Sequence, residues 1–385
     1  MKWMLLAMLI CFAGVTAWSQ EQSNLRKAVT IQTLYTSAGT KSISEQQMAL
    51  NKSESADAYQ FMSLRKTIGA INVMIKSSGE EYWIVQQKKI IDNLVGSSRI
   101  SSTIPGDQSF KDQFQGWISL FDNKSRQNEV PLYESYSFFY ITQFLYFIRN
   151  STWISQSDSN RLWWNHTLSF VEKNIWTKWY ERSMASFHNH YRYFLRSRTH
   201  MGSHWAGIAM YLTALSSNAQ IKSQAAELIQ QYDTLLKRNL RIFQGGYVWN
   251  STYDNVNGTY AAKSSASTIQ DVSHGNHVVA YIVAAYQFGN KDWTIEDIRR
   301  LAVTLKTVIY DNQNNRFRDN VDGSASSERP GWGNFVSDGW LKLAAYDDEV
   351  KTIFQQFEKS GMLKKYNQDF LFRATFSEIQ SQNPR

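Results

Sequence analysis

The stretch GSHWAGIAMYLTALS, from Gly202 to Ser216, is apolar on nearly every side when it is wound into a helix, and it begins with small residues. The stretch SHGNHVVAYIVAAYQF, from Ser273 to Phe288, has the same character. A helix that lacks a polar face is buried on all sides. By contrast, Ile221–Leu240 carries lysine, glutamate and glutamine on one face, which predicts a half-exposed helix. The sequence therefore contains two kinds of helix.

The alternation of buried and half-exposed helices predicts an all-α fold, an α/α toroid in which helical hairpins form an incomplete barrel. An outer ring of helices then wraps an inner ring, and the loops before the inner helices line a central cleft. The chain has only four prolines, so long helices meet few interruptions. Helical periodicity is found in ten segments: Asp57–Ser77, Tyr82–Leu94, Pro131–Arg149, Asp158–Tyr180, Gly202–Ser216, Ile221–Leu240, Ser273–Phe288, Thr294–Tyr310, Phe335–Tyr346 and Asp348–Ser360.

The N-terminus has the pattern of a signal peptide over residues 1–19. Lys2 is followed by an apolar run from Met4 to Val15, which is too short to span a bilayer, and Ala17 ends a small-residue cleavage site. We expect a polar leader over residues 20–52 and one catalytic toroid domain over residues 53–385. Export to the periplasm or the medium of a bacterium follows, without stable membrane insertion. The single cysteine, Cys11, lies in the signal, so the mature chain has no disulfide.

The formal net charge is +8, and lysine and arginine are spread along the whole chain. An exported basic protein is better matched to an acidic polysaccharide or oligosaccharide than to nucleic acid. The 14 tryptophans and 20 tyrosines fit this choice, because their flat faces stack on sugar rings, although many must also fill a large core.

Six of the seven histidines fall in two windows, each just before or inside an apolar helix. The first window holds His188, His190, His200 and His204, together with Arg196 and Arg198. The second window holds His274 and His277, preceded by Asp271. The spacings of four and three place each pair on one helical face, and we expect the two windows to converge on one cleft.

Two chemistries suit such a cluster. Histidines four apart can ligate Zn²⁺, but the glutamate of a His-Glu-x-x-His site and all cysteine ligands are missing, so we predict no cofactor and leave a divalent metal as an open alternative. Nucleotide-binding glycine motifs are absent as well. The other chemistry is proton transfer beside a uronate. It requires a neutralised carboxylate, a base for the adjacent proton and an acid for the leaving oxygen.

Asn189-His190, followed by Tyr193 and by the helix that carries Trp205-Ala206, resembles the alginate-lyase-like polysaccharide lyases, which have α/α toroid folds. The resemblance implies that an Asn-His pair neutralises the uronate carboxylate and that a tyrosine acts as base and acid. Here ten residues and two further histidines separate the pair from the helix, so either Asn189-His190 or His200 with His204 plays that part. Tyr253, in a glycine-rich aromatic loop, is the candidate tyrosine.

We therefore predict a polysaccharide lyase that acts by β-elimination. The catalytic candidates are His200, His204, His277, Tyr253, Asn189 and His190. The substrate-binding candidates are Arg196, Arg198, His274, Asn276, Asp271, Glu134, Arg329 and Trp332. Asp271 is either a helix N-cap, a partner that orients His274, or a catalytic carboxylate. Paired with Glu134 or Asp338, it would instead make a glycoside hydrolase of the same fold, and a glycan-binding envelope protein without activity is the third alternative.

Overall fold

The computed structural model describes residues 32–104, 110–121, 127–196, 198–253, 269–326, 330–365 and 368–382. It is 71% helical, and the strands of the described part form three short antiparallel pairs. The prediction of an all-α protein is confirmed. The predicted signal peptide and the first part of the predicted leader lie outside the described residues.

Sixteen α-helices are found in the described part of the chain. They are 32–41 (α1), Ile43–Ser53 (α2), Phe61–Ser78 (α3), Glu81–Ser97 (α4), Pro131–Ile148 (α5), Thr152–Gln156 (α6), Asp158–Phe170 (α7), Lys178–Phe187 (α8), Arg192–Leu195 (α9), Thr199–Leu215 (α10), Ala219–Asn239 (α11), Val272–Phe288 (α12), Ile295–Val303 (α13), Asp348–Glu358 (α14), Met362–Lys365 (α15) and Asp369–Gln382 (α16). Two π-helical turns, Val171–Thr177 and Thr304–Ile309, continue α7 and α13, and a 3-10 segment covers Trp340–Ala345. The strand pairs are Arg99–Ile100 (β1) with Gln115–Gly116 (β2), Arg241–Phe243 (β3) with Gly246–Val248 (β4), and Tyr310–Asp311 (β5) with Arg316–Phe317 (β6).

The helices contact one another in an order that returns to its start. Helix α3 packs against α5, α5 against α10, and α10 against α12. The 3-10 segment lies against α12 and α16, and α16 packs back on α3. Other helices pack against members of this series: α4 lies on α3, α11 on α10 and α14 on the 3-10 segment. His200 and His204 of the first window belong to α10, and His274 and His277 belong to its direct neighbour α12.

Local interactions of proline and of capping side chains fix the N-termini of several of these helices, at positions that the sequence predicts. Pro131 occupies the first turn of α5, where its missing N–H costs no hydrogen bond. Asp271 caps α12 by accepting the backbone N–H of His274 at 2.9 Å. Thr294 and Asp297 form a reciprocal capping box at α13. The first turn of α12, which carries His274, is therefore fixed by the Asp271 cap.

The predicted boundary between the polar leader and the domain at residue 53 is wrong. Residues 32–41 and α2 are helical, and Tyr35 and Ala38 are buried in the same hydrophobic core as the rest of the chain. The surface of these helices is polar, but apolar residues recur at helical spacing on the side that meets α3 and α4. A second correction concerns Phe335–Tyr346, where the helical part is the shorter 3-10 segment.

Most of the bulky aromatic content fills the core. Six tryptophans are fully buried, namely Trp117, Trp176, Trp179, Trp205, Trp249 and Trp340. Trp332, in contrast, is 40% exposed, so part of its ring faces solvent. Within the described residues, no helix combines the length and the apolar character needed to cross a membrane.

The close approach of α5 and α10 yields a stability prediction. A Cβ at Gly207 would overlap the ring of Phe139, which is 3% exposed and has little room to move. We expect Gly207→Ala to lower the free energy of unfolding by about 1–3 kcal/mol through overpacking. The control is Gly96→Ala in α4, where an added Cβ meets no described atom within 4 Å. Its expected effect is neutral or stabilising by up to about 1 kcal/mol. Urea denaturation measures the free energy of unfolding of both variants. Equal stability of the two variants would contradict the close contact between Gly207 and Phe139.

Candidate functional site

The two histidine windows converge. The rings of His200 and His274 lie with their centroids 4.2 Å apart, and those of His204 and His277 lie 4.7 Å apart. Each pair joins one histidine from the first turns of α10 to one from the first turns of α12. The predicted convergence of the two windows holds for these four residues, which we call the histidine cluster. His188 caps the end of α8 and His190 stacks on Tyr180, so these two histidines of the first window are not part of it.

At the rim of the histidine cluster, Asp271 and His274 form a close pair. The Nδ1 atom of His274 lies 2.8 and 3.0 Å from the two carboxylate oxygens of Asp271. A carboxylate only accepts hydrogen bonds, so Nδ1 carries the proton and Nε2 is left as the basic nitrogen. Asp271 thus serves as both N-cap and orienting partner, two of the roles considered from the sequence.

Deeper in the protein, His277 belongs to a network around Asp338. The Oδ2 atom of Asp338 lies 3.3 Å from both Nδ1 of His277 and Nη1 of Arg65. Its Oδ1 atom accepts the hydroxyl proton of Tyr140 and lies 3.7 Å from the Lys342 ammonium. Asp338 is 2% exposed, so this carboxylate is held by groups from α3, α5, α12 and the 3-10 segment.

Tyr136 of α5 completes the cluster and was not predicted. Its ring centroid lies 4.6 Å from that of His204 and 5.6 Å from that of His277. The Arg65 guanidinium lies over the same ring, 5.1 Å from its centroid. The sequence does contain a pattern that indicates Tyr136, because Tyr133, Tyr136 and Tyr140 follow one another at spacings of three and four in a largely apolar helix. Arg65 had no comparable signal, since it is 212 residues from His277.

Burial keeps the inner histidines neutral. It lowers the pKa of His200 well below its ordinary value, and the neighbouring histidines and Arg198 lower that pKa further. Burial, His277 and Arg65 do the same for the pKa of His204. Burial and the Arg65 charge lower the pKa of His277 to about 3, against the opposing effect of Asp338. The Nδ1 atom of His200 and the Nε2 atom of His204 have no hydrogen-bond partner among the described residues.

The carboxylates of the site stay ionised at neutral pH. Burial alone raises the pKa of Asp271, but the hydrogen bond and charge of His274 outweigh it and hold that pKa well below its usual range. The same balance, with His277, Lys342 and Arg65 as partners, lowers the pKa of Asp338. Neither carboxyl group is therefore protonated and able to act as a general acid near pH 7.

Arg198 and Trp332 lie beside the histidine cluster, and Arg196 precedes Arg198 in the chain. Arg198 is exposed immediately before α10, and its Nη1 atom donates to Ser251 at 3.4 Å. Arg196 is half-buried, which lowers the pKa of its guanidinium, and its backbone adopts a positive φ of 50°. The Trp332 ring centroid lies 6.4 Å from that of His274. Arg329, the remaining predicted contact of this rim, lies outside the described residues.

Asn189 and His190 are placed against α8. The Asn189 side chain accepts the backbone N–H of Tyr191 at 2.9 Å, which closes a local turn. The His190 ring stacks on Tyr180, with centroids 4.1 Å apart. Tyr191 in turn donates to Glu227 of α11, so this segment faces an outer helix. The structure thus puts the Asn-His motif elsewhere than at the paired rings of the histidine cluster.

Two further predicted residues, Tyr253 and Asn276, have packing partners of their own. Tyr253 is buried beside Tyr232, with its hydroxyl against Gly202. Gly202 is two residues from both His200 and His204, about 200° around the helix, so Tyr253 lies on the far side of α10. Asn276 accepts the backbone N–H groups of Gly339 and Trp340 at 2.7 and 3.0 Å. This bond fixes the turn that carries Asp338.

Glu134 is a member of a different, fully buried charge network. Its Oε1 atom accepts from Lys178 and its Oε2 atom from the indole N–H of Trp179, both at 2.7 Å. Lys178 also pairs with Glu129 at 3.6 Å. Burial raises the pKa of Glu134 in spite of Lys178. These contacts turn the Glu134 side chain toward α8.

No set of three His, Cys, Asp or Glu side chains within the described ranges is arranged to hold a metal ion. Comparisons with protein-family models, with curated proteins and with solved structures find no match for this chain. The resemblance to the alginate-lyase-like enzymes therefore rests on the sequence motif.

The buried neutral histidines predict a particular dependence of stability on pH. Below about pH 6.5 the unfolded chain protonates these histidines, while the folded chain keeps them neutral. The free energy of unfolding should fall as the pH falls, by up to about 1.4 kcal/mol per pH unit for each such histidine. Urea denaturation between about pH 7 and about pH 4.5 measures this slope.

The matched variants are His204→Gln and His166→Gln, since His166 is exposed on α7. We expect His204→Gln to flatten the slope and His166→Gln to leave it unchanged. The same slope in wild type and His204→Gln would show that His204 titrates normally in the folded protein.

Proposed function

We propose that the chain is an exported polysaccharide lyase that cleaves an acidic, uronate-containing polysaccharide by β-elimination. The observation that carries this proposal is the Asp271–His274 pair at the rim of the histidine cluster. The His274 side chain is 20% exposed and its Nδ1 atom is held by a carboxylate, which orients the ring with Nε2 as its basic nitrogen. The three histidines behind it are buried.

In the proposed reaction His274 moves one proton. Its Nε2 atom removes the proton from the carbon next to the uronate carboxylate. The electron pair forms a carbon–carbon double bond as the bond to the glycosidic oxygen breaks. The same nitrogen returns the proton to that oxygen, so the enzyme ends unchanged and no water is consumed. Asp271 stabilises the transient imidazolium and keeps its ring oriented, which makes Asp271 a positioning residue.

The reaction needs a positive group on the substrate carboxylate, because that group makes the adjacent proton acidic. Arg198 is exposed next to His200, and a guanidinium can bind a carboxylate through two parallel hydrogen bonds. Trp332 offers a partly exposed aromatic face beside His274, on which a sugar ring can stack. In this proposal Arg198 replaces Asn189-His190, and His274 replaces Tyr253, in the roles that the family resemblance implied.

The proposed fold for this activity is an α/α toroid. Its support is the contact order of α3, α5, α10, α12, the 3-10 segment and α16, which returns to α3. Covering helices α4, α11 and α14 then form part of the outer ring. The histidine cluster sits in the first turns of two inner helices, where such a fold has its cleft.

A glycoside hydrolase has less support. An acid-catalysed hydrolysis needs one carboxyl group whose pKa is raised, so that it carries a proton near neutral pH. The pKa values of Asp271 and Asp338 are both lowered. The pKa of Glu134 is raised, but its oxygens are bound to Lys178 and Trp179.

The activity prediction uses polygalacturonate, alginate and glucuronan as substrates, with the ultraviolet absorbance of the unsaturated product as the readout. We expect turnover of at least one of them. His274→Ala should lower kcat/KM by about a hundred- to ten-thousand-fold, the usual contribution of a proton-transfer group. His166→Ala is the control, because it removes an exposed histidine of α7 and should leave kcat/KM unchanged.

Three outcomes would count against the proposal. Reducing ends without ultraviolet absorbance would indicate a hydrolase. Binding without turnover would indicate a glycan-binding protein. Near-normal turnover by His274→Ala would remove His274 from the reaction and return the base to another residue of the cluster.

A further inference from the structure

Helix α5 runs in the same direction as α10, and this direction sets where its aromatic side chains lie. Tyr136 contacts the ring of His204, and Phe139, three residues further on, lies against Gly207, which is three residues beyond His204. Tyr133 is three residues before Tyr136, so it lies nearly one helical turn closer to the N-terminus of α5. Tyr133 is therefore level with the first turn of α10.

Three arginines, Arg192, Arg196 and Arg198, precede or begin this level of the molecule in a short stretch of chain. Arg196 is the half-buried one. Burial lowers the pKa of its guanidinium, and the charges of Arg192 and Arg198 lower that pKa further, while Tyr193 and Tyr133 act in the opposite direction. Like charges are thus gathered next to Tyr133, and an anion bound among them would relieve their repulsion.

Arg196 differs from the buried arginines in its charge partners. Arg65 and Arg182 pair with the carboxylates of Asp338 and Asp112, whereas Arg196 makes no ion pair with any residue that the structure describes. A cation withdrawn from water costs free energy unless an opposite charge accompanies it. The Arg196 backbone, with φ 50° and ψ −156°, also lies in a region that side chains rarely adopt. Such conformations concentrate at ligand sites, so both features indicate an anionic ligand.

Further aromatic rings adjoin Tyr133. The Tyr59 ring meets the Tyr133 ring edge to face, with centroids 5.6 Å apart, and it stacks in parallel on Phe121, with centroids 3.6 Å apart. Tyr59 belongs to the 3-10 turn before α3, and Phe121 is 57% exposed. Exposed aromatic faces are surfaces on which sugar rings stack. We call Tyr133, Tyr59 and Phe121 the aromatic row.

We propose that Arg196 and the aromatic row form an additional subsite, which binds a second uronate of the polysaccharide chain whose reacting unit is held at His274. Arg196 binds the carboxylate of this uronate, and the aromatic row packs against the apolar faces of the sugar rings. The inference rests on the proposed function, because that function supplies the acidic polysaccharide as the ligand. It adds that the site holds several uronates of one chain, so the affinity rises with chain length.

The test is isothermal titration calorimetry with hexamers from polygalacturonate, alginate and glucuronan, and with the monomer of each. The His274→Ala background removes the proposed base and so prevents cleavage during the titration. We expect at least one hexamer to bind, and its monomer to bind about tenfold or more weakly, because a monomer reaches one subsite at a time. Arg196→Gln should weaken hexamer binding about tenfold or more, since charge-assisted hydrogen bonds are lost. Phe121→Ala should weaken it several-fold.

Arg238→Gln in the same background is the matched control, because it removes an equal charge from the exposed surface of α11. It should leave hexamer binding unchanged. Far-ultraviolet circular dichroism verifies that each variant is folded. Equal losses in Arg196→Gln and Arg238→Gln would show a general attraction of charge and overturn the subsite. Unchanged binding in both Arg196→Gln and Phe121→Ala, or no binding of any hexamer, would overturn it as well.

Binding and turnover separate this inference from the proposed lyase activity. Hexamer binding that depends on Arg196, without an ultraviolet-absorbing product from the wild-type protein, would support the subsite and count against the lyase. An unsaturated product from the wild-type protein, together with hexamer binding that does not depend on Arg196, would support the lyase and overturn the subsite.

Discussion

The buried carboxylate of Asp338 is the constraint on which the inner part of the structure depends. A charge that is removed from water costs several kcal/mol unless hydrogen bonds and opposite charges replace the solvent. Arg65, Tyr140, His277 and Lys342 supply this replacement from four different elements. Asn276 holds the turn that carries the carboxylate. Helices α3, α5 and α12 and the 3-10 segment therefore meet around one anion, and their relative positions also set the position of the histidine cluster.

The sequence predicted the features that follow from local patterns. Two helices without a polar face had to be buried, and their spacing placed two histidines on one face of each, so the convergence of α10 and α12 could be expected. Arg65 and Tyr136 could not be found in this way, because only the tertiary structure brings them to His277. The Asn189-His190 motif was misleading for the opposite reason: it is a local pattern, and a local turn and a stacked tyrosine account for it. Residues 32–52 were assigned to a leader from their polar surface, although their buried stripe attaches them to the core.

The crowding of histidines acquires a physical explanation from their burial. Four imidazoles within ring contact cannot all be charged in a space that excludes water, so the inner ones are held neutral. Neutral imidazoles line the site without adding charge, and they leave His274 at the rim with the carboxylate of Asp271. A proton acceptor that is oriented by a carboxylate and packed against buried, neutral side chains is suited to proton transfer next to an anionic substrate. In the proposed reaction, Arg198 supplies the positive charge that such a substrate requires.

The most direct test of cleavage by β-elimination is to run the reaction in water enriched in oxygen-18 and to measure the masses of the products by mass spectrometry. Elimination transfers one proton within the substrate and adds no water, so the account predicts products without the heavy oxygen and with one unsaturated end. Short reaction times and a parallel sample of ready-made oligosaccharide control for slow exchange at reducing ends. One oxygen-18 atom at every newly formed reducing end would show that water is a reactant and would contradict the account.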